Sequence, residues 1–390
     1  MLKRKNILLL LEWYDYRIHK GVSKMARKYG WQLDCPKNLM SIPTDSGWLR
    51  DWEGDGCIAM IESEKVFNYL KAKDIPILDL GLKDYGKTFT RIVSDNPEIA
   101  KLARKHLRDL GHKEIFCLDH GNNEMFKERL NALKEDVKED ESNGCNVTVL
   151  KSATEIQNEI IYELRDIAFS RGKKLEEMSI GFFAYNDSIA AELISLCLKH
   201  GIRVPENIAI IGVDNDDLIN DSLVLGLSSV DSDLEGLGAE SAKLIDKLIS
   251  NPNSQVNPKV YRHPPKAVIT RRSTDCYAVR NPLVSNALHW IKNNFYKGIQ
   301  ATDVAQAMGV TQQGLQKAFT KSYIRSPGNE IRHQRVQAVA FLLRTTNAKL
   351  ETIAKNTGYY SVNSLINSFR KDYNTTPGKY RSQKKHEGTN

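Results

Sequence analysis

The stretch NTGYYSVNSLINSFRKDYNTTPGKYR, residues 356–381, sets Gly358 three places before Ser361 and puts Leu365 and Phe369 one helical turn apart. A glycine able to take positive φ, followed by a hydroxyl N-cap, marks a turn that feeds a helix. On that helix Val362, Leu365, Ile366 and Phe369 share one face, while Asn363, Asn367 and Arg370 share the other. The unit occurs twice. In TDVAQAMGVTQQGLQKAFTKSY, residues 302–323, Ala305 and Gly309 precede Ala354 and Gly358 by 49 positions, and one inserted residue then brings Phe319 onto Phe369. Here Thr311 is the N-cap, Gln312 opens the helix and Leu315 and Phe319 face inward. Gln313, Gln316, Lys317 and Thr320 are left on the outer stripe.

A short helix, a glycine turn and a second helix form a helix-turn-helix unit, whose second helix can enter a major groove. The outer residue types suit reading: Asn and Gln pair with adenine and Arg or Lys with guanine, while Lys371, Lys379 and Arg381 are placed for phosphates. A merely solvated helix interleaves Glu with Lys, yet neither reader helix contains a Glu. Between the units, NEIRHQRVQAVAFLLR (329–344) predicts a helical strut about 24 Å long, comparable with the roughly 34 Å of one DNA turn.

Charge points the same way. Residues 281–390 hold 16 Lys and Arg against 5 Asp and Glu, whereas the rest of the 390-residue chain holds 40 against 43. The net +8 therefore resides in the last 110 residues, the footprint of a module that meets phosphate.

Upstream of residue 270 the pattern changes. NILLLLEW, DGCIAMIES, IPILDLGL, TRIVSDN, EIFCLDHG, MSIGFFAYND and IAIIGVDND read as buried strands. They alternate with helical segments such as SDNPEIAKLARKHLRDLGH and NDSIAAELISLCLKHGI, each closed by a glycine. Continuously apolar strands separated by helices predict parallel sheets covered on both faces, and about 265 residues is enough for two lobes. The expected organisation is an α/β sensing and dimerisation domain at 1–270, a linker at 271–282 (RRSTDCYAVRNP), an all-α module at 283–381 with two helix-turn-helix units, and a disordered tail at 382–390.

In open α/β sheets ligands bind beyond the carboxyl ends of the strands. Trp13, Asp95, Asn96, Asn186, Asp187, Asp214 and Asn215 occupy such positions. Carboxylates, amides and an aromatic plate suit a polyhydroxylated ligand, because each buried hydroxyl needs a partner and the CH face of a sugar needs apolar contact. The alternative for Asn186 and Asp187 is that they only cap the following helix.

Two resemblances sharpen these expectations. Residues 283–381 resemble the AraC/XylS DNA-binding domain, whose closing pattern is carried here by Gly358, Tyr359, Ser361, Ser364, Phe369, Lys371, Tyr373, Thr376, Pro377, Tyr380 and Arg381; Leu365 stands where that family usually has an aromatic. Segment 95–115, FAYND and PENIAIIGVDND resemble the sugar sensor of the lac-repressor and periplasmic-binding-protein type. That likeness implies Arg129, Asn186 and Asp214 as hydroxyl binders. A sensor of this kind preceding an AraC-type tail is the arrangement of the xylose operon regulator family, which YDYRIHKGV (14–22), WLRDWEGDG (48–56) and TRRSTD (270–275) also resemble. The family's usual arginine after Tyr-Asp falls on Tyr16, with Arg17 beside it.

The resemblance implies a homodimer that binds operator half-sites, responds to D-xylose or a related pentose, and meets RNA polymerase if it activates. The expected effector residues are Trp13, Tyr16, Asp95, Asn96, Arg129, Asn186, Asp187 and Asp214. Those expected on DNA are Gln312, Gln313, Gln316, Lys317, Thr320, Ser361, Asn363, Asn367, Arg370 and Lys371. The alternatives are a body that only dimerises or senses another ligand, and an enzyme.

Catalysis is disfavoured, because GxxxxGK[ST], GxSxG, HExxH and a strand-linked GxGxxG are all missing. No cofactor or metal is expected. Cys35, Cys57, Cys117, Cys145, Cys197 and Cys276 have no metal-ligand spacing and suit free thiols in a reducing cytoplasm. The basic start MLKRKN precedes an apolar run too short for a signal peptide, and no run is long enough for a bilayer, so a cytoplasmic protein without a membrane partner is expected.

Overall fold

The computed structural model describes residues 4–36, 47–83, 85, 88–119, 121, 123–139, 146–151, 158–251, 258–275, 277, 279, 281–322, 325–373 and 375–386. Cys145 and Cys276 lie outside them.

The elements follow in chain order as β1 (Asn6–Leu11), α1 (Tyr16–Tyr29), β2 (Gln32–Asp34), α2 (Gly47–Asp51), β3 (Gly56–Met60), α3 (Glu64–Lys71), β4 (Ile77–Asp79), β5 (Thr90–Ser94) and α4 (Asn96–Asp109). Then come β6 (Glu114–Asp119), α5 (Glu124–Glu139), β7 (Asn146–Lys151), α6 (Asn158–Ser170), β8 (Ile180–Phe183), α7 (Asp187–Lys199), β9 (Ile208–Val213), α8 (Asp217–Ser222), β10 (Ser228–Asp231), α9 (Leu234–Ser250), β11 (Val260–His263) and β12 (Ala267–Ile269). The remaining elements are helices: α10 (Pro282–Asn294), α11 (Ala301–Ala307), α12 (Gln312–Ser322), α13 (Pro327–Thr345), α14 (Leu350–Asn356), α15 (Val362–Tyr373) and α16 (Pro377–His386).

The chain divides into two compact units, the first made of residues 1–99, 122–129 and 232–265, the second of 100–121, 130–231 and 266–390. Unit 1 holds a six-stranded sheet in the order β11-β5-β4-β3-β1-β2, every pair parallel. Its central strands are apolar on both faces: Ile7, Leu9 and Leu11 of β1 pack with Ile18 and Val22 of α1 and with α9, while Leu8 and Leu10 pack with α3 residues Val66, Phe67 and Leu70. Burial on both sides is why these strands read as continuous hydrophobic runs rather than alternating ones. α1 begins where Asp15 accepts from the backbone N–H groups of Arg17 and Ile18 and stops at Gly30.

Unit 2 repeats the design with the order β12-β10-β9-β8-β6-β7, parallel except that β12 runs antiparallel to β10. The seven strands read from the sequence are all present. β2, β7, β10, β11 and β12 were not read: NVTVLK of β7, SSVD of β10 and VYRH of β11 mix polar with apolar residues, and β2 and β12 are only three residues long. The first part of the segment read as a linker is packed instead. Residues Arg272–Thr274 form a 3-10 turn in which Ser273 and Thr274 are fully buried, and Ser273 Oγ donates to the Ile210 carbonyl of β9 at 2.6 Å. Hydroxyls rather than apolar side chains do this packing, so the polar composition concealed it.

The helical tail also belongs to unit 2 and has two cores. Val284, Leu288 and Ile291 of α10 pack with Val304, Ala305, Leu315, Phe319 and Ile331. Val336, Val339, Ala340 and Leu343 of α13 pack with Ile353, Ala354, Leu365 and Phe369. The strut is thus α13, which shares one end with each helix-turn-helix unit. Leu365 fills the aromatic's place in the second core and is fully buried. α16 continues to His386, past the boundary expected at residue 381; residues 387–390 lie outside the description.

Candidate effector and nucleic-acid sites

In unit 1, polar and aromatic residues gather at the carboxyl ends of the strands. Trp13 follows β1 and is 49% exposed, an aromatic of that size left open to solvent. Tyr16 opens α1, with the Arg17 guanidinium 5.6 Å from its ring centroid; Arg17 is fixed by an ion pair to Asp15 at 2.6 Å. Asp95 follows β5 and accepts from the Glu98 backbone N–H at 3.2 Å. Asn96 and Arg129 are brought together: Arg129 Nε donates to Asn96 Oδ1 at 2.8 Å, and Asn96 Nδ2 donates to Glu128 at 2.8 Å. Arg129 is only 1% exposed, so the arginine expected on a ligand hydroxyl is embedded in this network.

In unit 2 the corresponding ends are those of β8, β9 and β10. Asn186 is the N-cap of α7, its side chain accepting from Ile189 N–H at 2.9 Å. Asp187 is buried and accepts from the backbone N–H of Asp216 at 2.8 Å and from Ser229 Oγ at 2.7 Å. Its carboxylate therefore knits three strand ends together, a larger structural task than the simple cap considered from sequence. Asp214 and Asn215 follow β9 with φ of 101° and 48°. Side-chain-bearing residues seldom adopt such angles, and they persist where the surroundings enforce them, which is characteristic of binding sites. Asn215 is held by Arg271 at 2.8 Å.

In the tail, α12 and α15 each bury an apolar face and leave a polar face exposed. Thr311 Oγ1 accepts from Gly314 N–H at 3.1 Å and Ser361 Oγ from Ser364 N–H at 3.2 Å, so both hydroxyls cap. The turns before them contain Gly309 and Gly358 at φ 65° and 76°. Leu315, Phe319, Leu365 and Phe369 are buried, while Gln312, Gln313, Gln316, Lys317, Thr320, Ser361, Asn363, Asn367, Arg370 and Lys371 are exposed. Arg381 departs from its expected role on phosphate. It is half-buried, and its guanidinium donates to the Ala348 carbonyl at 2.7 Å. Lys379 is exposed.

Among the described residues there is no cluster of three or more His, Cys, Asp or Glu able to hold a metal, and no helix long and apolar enough to cross a membrane. Cys117 is buried in β6, where burial pushes its thiol up to about 12, far from the depressed value of a nucleophile.

Residues 104–274 match the periplasmic binding protein-like domain and residues 304–383 a helix-turn-helix domain. The xylose operon regulatory protein of Escherichia coli K12 is 27% identical over 97% of both chains, and that of Haemophilus influenzae is 25% identical over 94% of this chain and 95% of the relative. End to end, the chain resembles the xylose operon regulatory proteins. A solved xylose-binding transcription activator superimposes with a TM-score of 0.58 at 26% identity, covering 98% of each chain. A LacI family regulator from Enterococcus faecalis, solved with bound ribose, shares the fold over 69% of this chain and 98% of its own, with a TM-score of 0.53 at 22% identity. The xylose operon relatives are regulatory proteins, and the similarity to them spans both matched domains of this chain.

Sequence reasoning missed Asp79, Asp231 and Arg271. Asp79 ends β4, where burial lifts its carboxyl to about 7 even though the backbone N–H groups of Gly81 and Ile61 bond it. Asp231 ends β10, at 3.5 Å from the Asn215 amide. The carboxylate in IPILDLGL was visible as a strand-end acid, but β10 had no strand signal of its own and Arg271 sat in the presumed linker.

Proposed function

We propose that the protein is a sequence-specific DNA-binding transcription regulator controlled by a small sugar, D-xylose or a related pentose, and acting on sugar-utilisation genes. It works in the cytoplasm as a homodimer on operator half-sites, with RNA polymerase as a further partner if it activates. The observation that carries this reading is the pair of matched, exposed, glutamate-free reader helices in a chain similar from end to end to xylose operon regulatory proteins. In unit 1 Trp13 offers an apolar plate and Asp95 an acceptor for hydroxyls; in unit 2 Asp214 offers an acceptor. Asn96, Arg129, Asn186 and Asp187 hold the shape of the strand ends around them. A sugar shifts the regulator only by its differential affinity for two conformations, so binding and DNA response must be measured together.

The test is calorimetric titration of the full chain with xylose, arabinose, ribose and glucose, repeated with Asp214→Ala, alongside operator affinity with and without the sugar that binds. The reading expects one pentose to bind, the variant to lose it, and operator affinity to change at least fivefold. A silent panel refutes the sugar effector and leaves a DNA-binding regulator with a different signal.

A further inference from the structure

The C-terminal end of α4 meets the DNA-binding tail within unit 2. Asp109, the last residue of α4, accepts from the Arg325 guanidinium at 2.6 Å and lies 3.1 Å from His333 Nε2 and 3.2 Å from Lys105 Nζ. Burial opposes its ionisation, yet His333, Lys105 and Arg325 hold its carboxyl well below the usual range. Arg325 stands in the joint between α12 and α13 and also reaches the fully buried Glu330 at 3.4 Å. One turn back on α4, Lys105 donates to Gln337 Oε1 of α13 at 3.0 Å, and the same oxygen accepts from Tyr373 Oη at 3.2 Å. Tyr373 is the last residue of α15.

Two side chains on one turn of α4 thus reach the far ends of both reader helices, one through Arg325 after α12 and the other through Gln337 to α15. We infer that Asp109 and Lys105 are positioning residues that set how α12 and α15 are presented to DNA. The attachment does not depend on them, because Leu110 belongs to the same apolar core as Tyr277, Leu288 and Ile331. A cavity of about 440 Å³ beside the joint, lined by Leu102, Val268, Phe341 and Leu342 among others, leaves α13 room to shift once the polar bonds are cut.

The role of Asp109 and Lys105 in presenting the readers does not rest on the identity of an effector.

The experiment uses the full chain and a duplex that it enriches from a random pool. Moving the two contacted segments apart by half a helical turn should weaken wild-type binding at least tenfold, because the joint fixes reader spacing. Asp109→Asn should flatten that penalty to threefold or less while keeping the affinity for the enriched duplex within about fivefold. Gln337→Leu, a milder change away from the half-buried carboxylate, should flatten it in part. Asp109→Asn combined with Arg325→Gln should do no more than either alone, since both cut one joint. Variants that fold and keep the wild-type spacing profile overturn the inference, as does a double variant whose losses add. A protein that binds no pentose in calorimetry refutes the sugar reading separately, and the spacing profile still decides the joint.

Discussion

His263, at the end of β11, is nearly buried between two carboxylates: its Nδ1 lies 2.6 Å from Glu240 and its Nε2 3.3 Å from Asp233, the N-cap of α9. The chain passes between units at 231/232 and 265/266, so this cluster flanks two of the crossings. Burial alone would lower the imidazole, but the bonds to Asp233 and Glu240 overcome it and raise the value to about 9 from an ordinary 6.5. A histidine whose folded value is raised contributes stability that is fully present below about 6.5 and is lost as pH rises through about 9. At about 1.4 kcal/mol per pH unit, the interval corresponds to about 3 kcal/mol. Histidine-to-glutamine exchange at this site should therefore destabilise the protein by about that amount at pH 6 and by little at pH 10, where the imidazole is neutral in both states. Urea unfolding of wild type and His263→Gln at pH 6, 8 and 10 measures the difference, which cancels other groups titrating in alkali. The imidazole resonance that disappears in the variant should titrate near 9. A stability difference independent of pH, or a resonance that titrates near 6.5, would refute the clamp.

Three further outcomes are expected. Asn367→Ala should cost about 1–3 kcal/mol on the preferred sequence and relax base preference, whereas Lys371→Ala should weaken all duplexes alike and lower the salt slope by about one; identical behaviour of the two in competition binding would sink the reader assignment. Gly358→Ala should lower thermal stability by at least about 2 kcal/mol, since a Cβ there would sit 2.4 Å from the Phe295 carbonyl oxygen, while Gly309→Ala, with positive φ but open space, should cost about 1 kcal/mol. Asp187→Ala should cost about 2–4 kcal/mol by stranding Ser229 Oγ and the Asp216 N–H, and the loss should be equally large without sugar; a variant of normal stability that only loses pentose would move Asp187 from scaffold to ligand contact.

The parts of the fold that could be read from sequence are those where one physical rule acts alone. β1, β6 and β9 are buried on both faces and spell themselves out as NILLLL, EIFCLD and IAIIGV. The reader helices are equally plain, because Leu315 with Phe319 and Leu365 with Phe369 are paired at helical spacing behind a cap and a glycine. β10 and the turn at Arg272–Thr274 could not be read, because serine and threonine hydroxyls do their packing. Ser228 Oγ donates to the Arg271 carbonyl at 2.9 Å and lies 2.7 Å from Thr274 Oγ1, and such partners are distant in sequence. Arg381 misled for the same reason, since a basic residue at a domain end looks like a phosphate ligand until the Ala348 carbonyl is found beside it.

The same distinction sorts the effector candidates. A polar group at a strand end is useful to a sugar only if the scaffold has not already taken its hydrogen-bonding capacity. Asp187 has each carboxylate oxygen engaged, and Asn96 has both amide atoms engaged. Substituting either should disturb the frame before it disturbs specificity. Trp13 is different, since an indole half in solvent gains little for the fold, and its removal should cost affinity for the sugar's CH face with little change in stability. Asp214 combines an enforced positive φ with a place at the end of β9, and strain of that kind is retained where it serves a site. Sugar discrimination should therefore follow changes at Trp13 and Asp214, and melting temperature changes at Asp187 and Asn96, a division that a four-variant calorimetric and thermal series would expose directly.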